Sequence, residues 1–189
     1  MHIGSYFGSF NPVHNGHIAI AEYMYRQFGF DKIWFVVSPS NPLKKGNDLL
    51  DEHKRLDLVK LAIKNKDYFS VSDIEFQMEK PSYTYLTLRK IHTEYPQHSF
   101  ALILGGDSID DIKLWKNYEE ILQNYTIYIY PRSKKTENST EKNIIYTNPP
   151  LLDISSTQIR EKIKNKEDIS NFVCSEVMER IEKEGWYFC

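Results

Sequence analysis

The sequence predicts an α/β fold with a doubly wound parallel sheet, and two observations support this prediction. Four short segments are rich in β-branched and aromatic residues, and three of them are almost continuously apolar, as strands covered on both faces are. The segments between them have the apolar spacing of helices. A chain that alternates strand and helix forms a parallel sheet with right-handed crossovers, and ligands bind such sheets beyond the carboxyl ends of the strands.

The predicted strands are the most apolar stretches of the chain. They are residues 2–7, "KIWFVV" at 32–37, "SFALIL" at 99–104 and "TIYIY" at 126–130. Polar stretches mark the loops, and the longest of these are residues 38–48 and 132–143.

Helices are predicted from apolar spacing and from capping residues. A first helix extends from residue 16 to about residue 29, and the apolar positions of "RLDLVKLAI" (residues 55–63) form one broad stripe on a second. A last helix extends from about residue 170 to residue 183. Ser170 would be its N-cap, and Gly185 would lie just past its end.

Length and composition predict one domain over residues 1–189. The formal net charge is -2 and both signs are mixed along the chain, so no basic stripe indicates nucleic-acid binding. Cys174 and Cys189 are the only cysteines and cannot form a disulfide framework, which is typical of a reducing compartment. Without a secretory n-region or a long apolar run, the sequence predicts a cytoplasmic protein with no membrane partner.

The loop "GSFNPVHNGH" at residues 8–17 is the first candidate site, because it joins the first strand to the first helix. Gly8 and Gly16 permit close approach of the backbone to a ligand, and Pro12 restricts the turn. The free N–H groups and the dipole of the following helix start favour an anion. His14 and His17 would lie at its mouth as hydrogen-bond donors, which suits a phosphate whose charge changes during a reaction.

Other interpretations of the two histidines remain open from the sequence. Their spacing permits metal binding, but neither an HExxH pattern nor a third ligand accompanies it, so no metal site is predicted. Histidines beside a helix start are also often surface or capping residues. The chain has neither GxxxxGK[ST] nor a GxGxxG after a strand, which excludes the two common nucleotide-binding loops.

A second candidate site is "ISSTQIR" at residues 154–160. Ser155, Ser156 and Thr157 offer hydroxyls and N-cap geometry at a helix start, and Arg160 offers a planar fork for phosphate oxygens. A plain helix cap is the alternative, since Ser and Thr are common at that position.

The two segments together resemble the nucleotidyltransferase superfamily that carries HxGH and ISSTxxR. Within it, the chain resembles the bacterial nicotinate mononucleotide adenylyltransferases. The first loop is similar to their GGxFDPxHxGH, with Asn11 where Asp is usual, while "KPSYTYLTL" (80–88) and "GGDSIDDIKLW" (105–115) are similar to their PSYTxxTL and GxDxxxxxxxW. The resemblance implies a Rossmann-like single domain with C-terminal helices. It also implies adenylyl transfer from ATP to nicotinate mononucleotide, giving deamido-NAD and pyrophosphate in NAD biosynthesis.

The same resemblance implies which residues form the site. The catalytic residues would be His14, His17 and Arg160. ATP would be bound by Gly8, Ser9, Phe10, His14, His17, Gly105, Asp107, Ser155, Ser156 and Arg160. Nicotinate mononucleotide would be bound by Asn11, Lys44, Ser82, Tyr83, Thr84 and Trp115. Mg²⁺ is implied as the companion of ATP, held largely by phosphate and water ligands.

Several of these residues, and the function itself, have alternatives. Tyr83 and Trp115 could be core aromatics, Asp107 could be an N-cap, and Lys44 could be a solvated loop lysine with Lys45 equally available. The rival functions are transfer to another phosphate acceptor, such as nicotinamide mononucleotide or 4'-phosphopantetheine, and a nucleotide-sensing module without turnover.

Overall fold

A sheet of parallel strands is the central element of the fold. The computed structural model describes residues 1–40, 49–131, 142–150 and 152–188. Within them the strands are β1 (His2–Gly8), β2 (Lys32–Val37), β3 (Phe69–Ser72), β4 (Ser99–Gly105), β5 (Ile127–Tyr130) and β6 (Ile144–Tyr146). Their order across the sheet is β3-β2-β1-β4-β5-β6, and every neighbouring pair is parallel.

Helices connect the strands and follow the last of them. They are α1 (Asn15–Gln27), α2 (Glu52–Ile63), α3 (Thr84–Glu94), α4 (Gly106–Asp110), α5 (Tyr118–Asn124), α6 (Ser156–Lys164) and α7 (Ser175–Glu184), with a 3₁₀ turn at Ile112–Leu114. In the described parts of the chain, no helix is both long and apolar enough to cross a membrane.

The strand order confirms the predicted doubly wound sheet. The chain builds outward from β1 to β3 and then returns to start β4 on the other side of β1. The carboxyl ends of β1 and β4 therefore form the switch point, where open α/β sheets have their crevice.

The four predicted strands are confirmed to within one residue, whereas β3 and β6 were not predicted. Both of these lie at the edges of the sheet. β3 has the sequence FSVS and β6 has only three residues, so neither presents the continuous apolar run that marks a strand buried on both faces.

Two helical layers cover the sheet, because alternate residues of each strand face opposite sides. Tyr6 and Phe35 belong to a core with α1, α2, α6 and α7. Leu102 and Leu104 belong to a core with α3 and α5 on the other face. The predicted C-terminal helices thus close one face of the sheet.

The start of the last helix was predicted wrongly. α7 begins at Ser175 with Cys174 as its N-cap, five residues after the predicted start. Ser170 is not an N-cap, because both its N–H and its hydroxyl donate to Asp168, which forms a local turn. The end is confirmed, since Gly185 follows the helix with a φ of 67°, where glycine is favoured.

Arg55, on α2, joins the loops that leave the first two strands. Its side chain is fully buried, and its guanidinium donates to four main-chain carbonyl oxygens. Nη1 donates to Ser9 O (2.6 Å) and Ser38 O (2.8 Å), Nη2 to Pro39 O (3.1 Å), and Nε to Leu50 O (2.7 Å). These carbonyl groups lie in loops outside the sheet, so the fork supplies the donors that strand pairing would otherwise supply.

We expect Arg55→Lys to lower the free energy of unfolding by about 2 kcal/mol or more, because one ammonium group cannot replace the planar fork for four buried acceptors. Urea unfolding followed by circular dichroism measures the change. The exposed Arg26 offers a matched control, and Arg26→Lys should change the stability by less than about 0.5 kcal/mol. Equal effects of the two substitutions would contradict the role given to Arg55.

Candidate active site

A large cavity opens at the switch point of the sheet. Its volume is about 460 Å³, and its lining includes the last residues of β1 and β4, Gly8 and Gly105. Nine of the predicted site residues line it: Gly8, Ser9, Phe10, His17, Ser82, Tyr83, Thr84, Gly105 and Trp115. Three segments separated in sequence, those after β1, before α3 and after β4, are therefore brought together.

The loop after β1 is shaped by Phe10, which has a φ of 46°, a strained value for a bulky residue. Its ring is 2% exposed and packs edge-on against the ring of Tyr6, with centroids 5.5 Å apart. A Cβ on Gly8 would lie 2.8 Å from this ring. Glycine is thus required at position 8 by the protein's own aromatic packing.

His14 and His17 form a contacting pair at the start of α1. His14 is the N-cap, and its N–H donates to His17 Nδ1 at 3.2 Å, while the ring centroids lie 3.6 Å apart. In the neutral ring, an accepting Nδ1 places the proton of His17 on Nε2, which makes that nitrogen a donor. A Cβ on Gly16 would lie 3.0 Å from His14 Nδ1, so glycine allows the two rings to meet.

The second predicted segment docks directly on this loop. Ser156 Oγ donates to Pro12 O at 2.9 Å, and Arg160 Nη1 donates to Asn11 O at 2.8 Å. Ser155 is the N-cap of α6 in a reciprocal capping box with Gln158, as the alternative interpretation predicted. The start of α6 therefore lies beside the loop at residues 8–17, which we call the histidine loop. Ser155, Ser156 and Arg160 are not part of the cavity lining.

Several predicted residues lie outside the cavity. His14 lines a smaller neighbouring cavity with Cys174, and Asn11 is buried with its side-chain oxygen turned to Leu50 N at 3.1 Å. Asp107 is exposed within the first turn of α4, so the N-cap alternative for it was wrong, because Gly105 occupies that position. Lys44 and its neighbour Lys45 lie outside the described residues.

The start of α3 forms another wall of the cavity. Tyr83 is the N-cap in an extended conformation, and Thr84 is the first helical residue. Tyr83 and Trp115 pack against the apolar core beneath and also line the cavity. The core interpretation of these aromatics is therefore compatible with a ligand contact, which stays a prediction. Lys116 Nζ lies 4.8 Å from the centroid of the Tyr83 ring.

Glu75 is a cavity residue that the sequence did not reveal. Its side chain is 2% exposed and accepts hydrogen bonds from Ser82 Oγ (2.7 Å) and Thr87 Oγ1 (2.8 Å). Burial raises the pKa of the Glu75 carboxyl, and hydrogen bonds from Ser82, Thr87 and Ser38 oppose that rise. A glutamate in the stretch between β3 and α3 has no sequence pattern that distinguishes it from a solvated residue.

Tyr187 was missed as well, because it lies 176 positions from its partner. Its hydroxyl donates to Asn11 Oδ1 at 2.9 Å, so the segment after α7 contacts the histidine loop. Burial raises the pKa of the Tyr187 hydroxyl, while the charges of Arg55 and Arg160 lower it. The neutral hydroxyl is therefore retained as a donor.

The described residues contain no group of three or more His, Cys, Asp or Glu side chains that could hold a metal ion.

Comparison with known proteins gives both the family and the fold. A family model described as cytidylyltransferase-like matches residues 5–162. A protein of Cytophaga hutchinsonii named "Probable nicotinate-nucleotide adenylyltransferase" is 46% identical over 189 residues, 99% of this chain and 98% of that protein. A protein of the same name from Flavobacterium psychrophilum is 43% identical over 191 residues, 99% of each chain.

Among solved structures, nicotinic acid mononucleotide adenylyltransferase of Plasmodium falciparum, complexed with NaAD, has a TM-score of 0.83 and 22% identity. The match covers 98% of this chain and 97% of that one, and it supports the fold. Because the sequence matches extend over nearly the whole chain, the protein belongs to the cytidylyltransferase-like family and, within it, to the nicotinate-nucleotide adenylyltransferases.

Proposed function

We propose that this protein transfers the adenylyl group of ATP to nicotinate mononucleotide and releases pyrophosphate, which yields deamido-NAD. One observation carries the proposal: the start of α3, Trp115 and His17 line the same cavity. A helix start binds a carboxylate, an aromatic face stacks on a pyridine ring, and a histidine donor binds phosphate. The relatives from Cytophaga and Flavobacterium carry the name of this activity.

The chemistry needs little proton transfer from the protein. The phosphate of nicotinate mononucleotide has a second pKa of about 6, so it is mostly dianionic at neutral pH and attacks the α-phosphorus of ATP without a general base. The bond between the α-phosphorus and the bridging oxygen to the β-phosphate breaks, and pyrophosphate leaves with that electron pair. Catalysis is then mainly positioning and stabilisation of negative charge.

The residues of the histidine loop and of α6 are suited to that task. His14 and His17 would contact oxygens of the α- and β-phosphates, with the Nε2 donor of His17 defined by its bond to His14 N–H. Ser156, through its main-chain N–H at the start of α6, and Arg160, through its guanidinium, would contact the β- and γ-phosphates. Their bonds to Pro12 O and Asn11 O keep the start of α6 beside the loop before ATP binds.

Mg²⁺ would enter with ATP, since the described side chains do not form a metal cage. The cation would neutralise phosphate charge, with ATP phosphates and water as its main ligands. We expect the protein to act in the cytoplasm, because its two cysteines do not form a disulfide framework.

The nicotinate carboxylate would bind the main-chain N–H groups of Thr84 and Tyr85, the first two of α3. The next two N–H groups, those of Leu86 and Thr87, already donate to Tyr83 O. The first N–H groups of a helix carry the positive end of its dipole. A carboxylate gains more from them than a neutral carboxamide does, which accounts for selection of the acid over the amide.

The first prediction concerns the acceptor. Purified protein with Mg-ATP should release pyrophosphate faster with nicotinate mononucleotide than with nicotinamide mononucleotide, because only the acid carries the carboxylate. A coupled pyrophosphate assay measures both rates. Equal rates would retain the reaction but refute the helix-start account, and no release with either would direct the search to 4'-phosphopantetheine or to a sensing module.

The second prediction isolates the N–H group at the start of α3. Thr84→Pro removes one donor at the first helical position, where proline is tolerated, and Tyr83 before it is already extended. Compared with Thr84→Ala, which removes only the side-chain hydroxyl, we expect Thr84→Pro to raise KM for nicotinate mononucleotide about tenfold. KM for ATP should stay within about twofold; equal losses for both substrates would argue against a carboxylate at this helix start.

The third prediction concerns His17. Asparagine can replace Nδ1 as the acceptor for His14 N–H but lacks the distal donor, so His17→Asn should leave the melting temperature nearly unchanged. Its kcat should fall by roughly 10²-fold, the scale for loss of one transition-state donor. The exposed His92 provides the control His92→Asn, and a well-folded His17→Asn protein with ordinary turnover would refute the assignment.

A further inference from the structure

Glu75 is a buried acidic residue in the wall of a cavity that we expect to receive an acidic substrate. It lies between β3 and α3, is 2% exposed, and belongs to the cavity lining. Burial of a glutamate carboxyl is unfavourable unless its oxygens are hydrogen-bonded, so such residues are rare. The hydrogen bonds of Glu75 show which part of the fold its burial serves.

The two carboxylate oxygens of Glu75 hold the start of α3 at two points. Oε2 accepts from Ser82, just before the helix, and Oε1 accepts from Thr87, one turn into it. Thr87 Oγ1 also lies 3.3 Å from Tyr83 O, the carbonyl of the N-cap. The Glu75 side chain therefore fixes the position of the first turn of α3.

Glu75 also interacts with the residue that follows β2. Ser38 directly follows β2 and hydrogen-bonds through its side chain to Glu75. Ser38 O is in turn an acceptor of Arg55 Nη1 at 2.8 Å. Ser38 therefore lies between the buried arginine, which bonds its carbonyl group, and Glu75, whose pKa its side chain lowers.

Its hydrogen bond to Glu75 means that the Ser82 hydroxyl cannot also donate to a ligand. A serine hydroxyl has one proton, and Ser82 donates it to Glu75 in a buried site. Its side chain therefore positions the turn, and the main-chain N–H groups of Thr84 and Tyr85 are the donors proposed for a carboxylate, since those of Leu86 and Thr87 donate to Tyr83 O.

We propose that Glu75 is a positioning residue that sets the preference of this cavity for a substrate with a ring carboxylate, by holding the first turn of α3 through Ser82 and Thr87. The inference rests on the proposed function. Hydrogen bonds to a charged acceptor are stronger and more sensitive to geometry than those to a neutral amide. Displacement of the turn therefore weakens binding of the acid more than binding of the amide, and leaves ATP, at the histidine loop, nearly unaffected.

The test compares Glu75→Gln with Glu79→Gln, a matched control at an exposed position of the same segment. Glutamine keeps the size of the side chain but has one accepting oxygen for two hydroxyl donors. We expect Glu75→Gln to lower the ratio of kcat/KM for nicotinate over nicotinamide mononucleotide about tenfold, mainly through KM for the acid. KM for ATP should stay within about twofold, and Glu79→Gln should match the wild-type protein.

Thr87→Val provides a second, nearly isosteric variant that removes one of the two hydroxyl donors without touching a proposed ligand contact. We expect it to lower the same ratio about threefold, and the double variant to differ little from Glu75→Gln alone, since both changes remove one coupled contact. The melting temperature of each variant is measured in parallel, so that Thr87→Val decides the outcome if Glu75→Gln does not fold.

Three results would overturn the inference. An unchanged ratio in a folded Glu75→Gln protein would show that the residue serves stability alone. Equal losses for acid, amide and ATP would indicate a general effect on the fold, and a higher ratio would show that the negative charge of Glu75 repels the substrate. No pyrophosphate release by the wild-type protein would refute the proposed function and this inference together, whereas activity with an unchanged ratio would refute the inference alone.

Discussion

The buried guanidinium of Arg55 is the interaction on which the geometry of the site depends. Four carbonyl oxygens from the loops after β1 and β2 and from the entry to α2 converge on it. Loops that leave parallel strands have no ladder partner, and buried carbonyl groups without donors are costly. One planar fork satisfies all four, and it thereby fixes the paths of two loops at the carboxyl edge of the sheet.

The histidine loop extends this arrangement to distant parts of the chain. Asn11 and Pro12 offer main-chain oxygens to Arg160 and Ser156, and the Asn11 side chain accepts from Tyr187. The start of α6 and the segment after α7 are thus held against one turn. Residues proposed to contact phosphate are positioned by contacts that exist without any ligand, which lowers the ordering cost of binding.

The wall of the cavity at the start of α3 is built in the same way as the start of α1, but for a different ligand group. At the start of α1 the expected ligand is phosphate, and at the start of α3 it is a carboxylate, and both sites combine a helix N-terminus with side chains that fix its position. Fixing the start of α3 in this way requires burial of the Glu75 carboxyl, which is unfavourable in itself. This carboxyl is buried beside the cavity, and three hydroxyl-bearing residues are needed to accommodate it.

Local sequence was enough to predict the four central strands, the start of α1 to within one residue, the cap of α6 at Ser155, and the loops that carry the site. Apolar runs indicate strands buried on both faces of a sheet, and patterns of Gly, His and Ser/Thr indicate turns and caps. Each of these patterns extends over no more than about ten residues. Only the tertiary structure decided the edge strands β3 and β6, the start of α7, and the roles of Arg55, Glu75 and Tyr187. Most hydrogen-bond partners of these three residues lie between 12 and 176 positions away. Whether a polar side chain is solvated or buried against such partners depends on packing that no local pattern encodes.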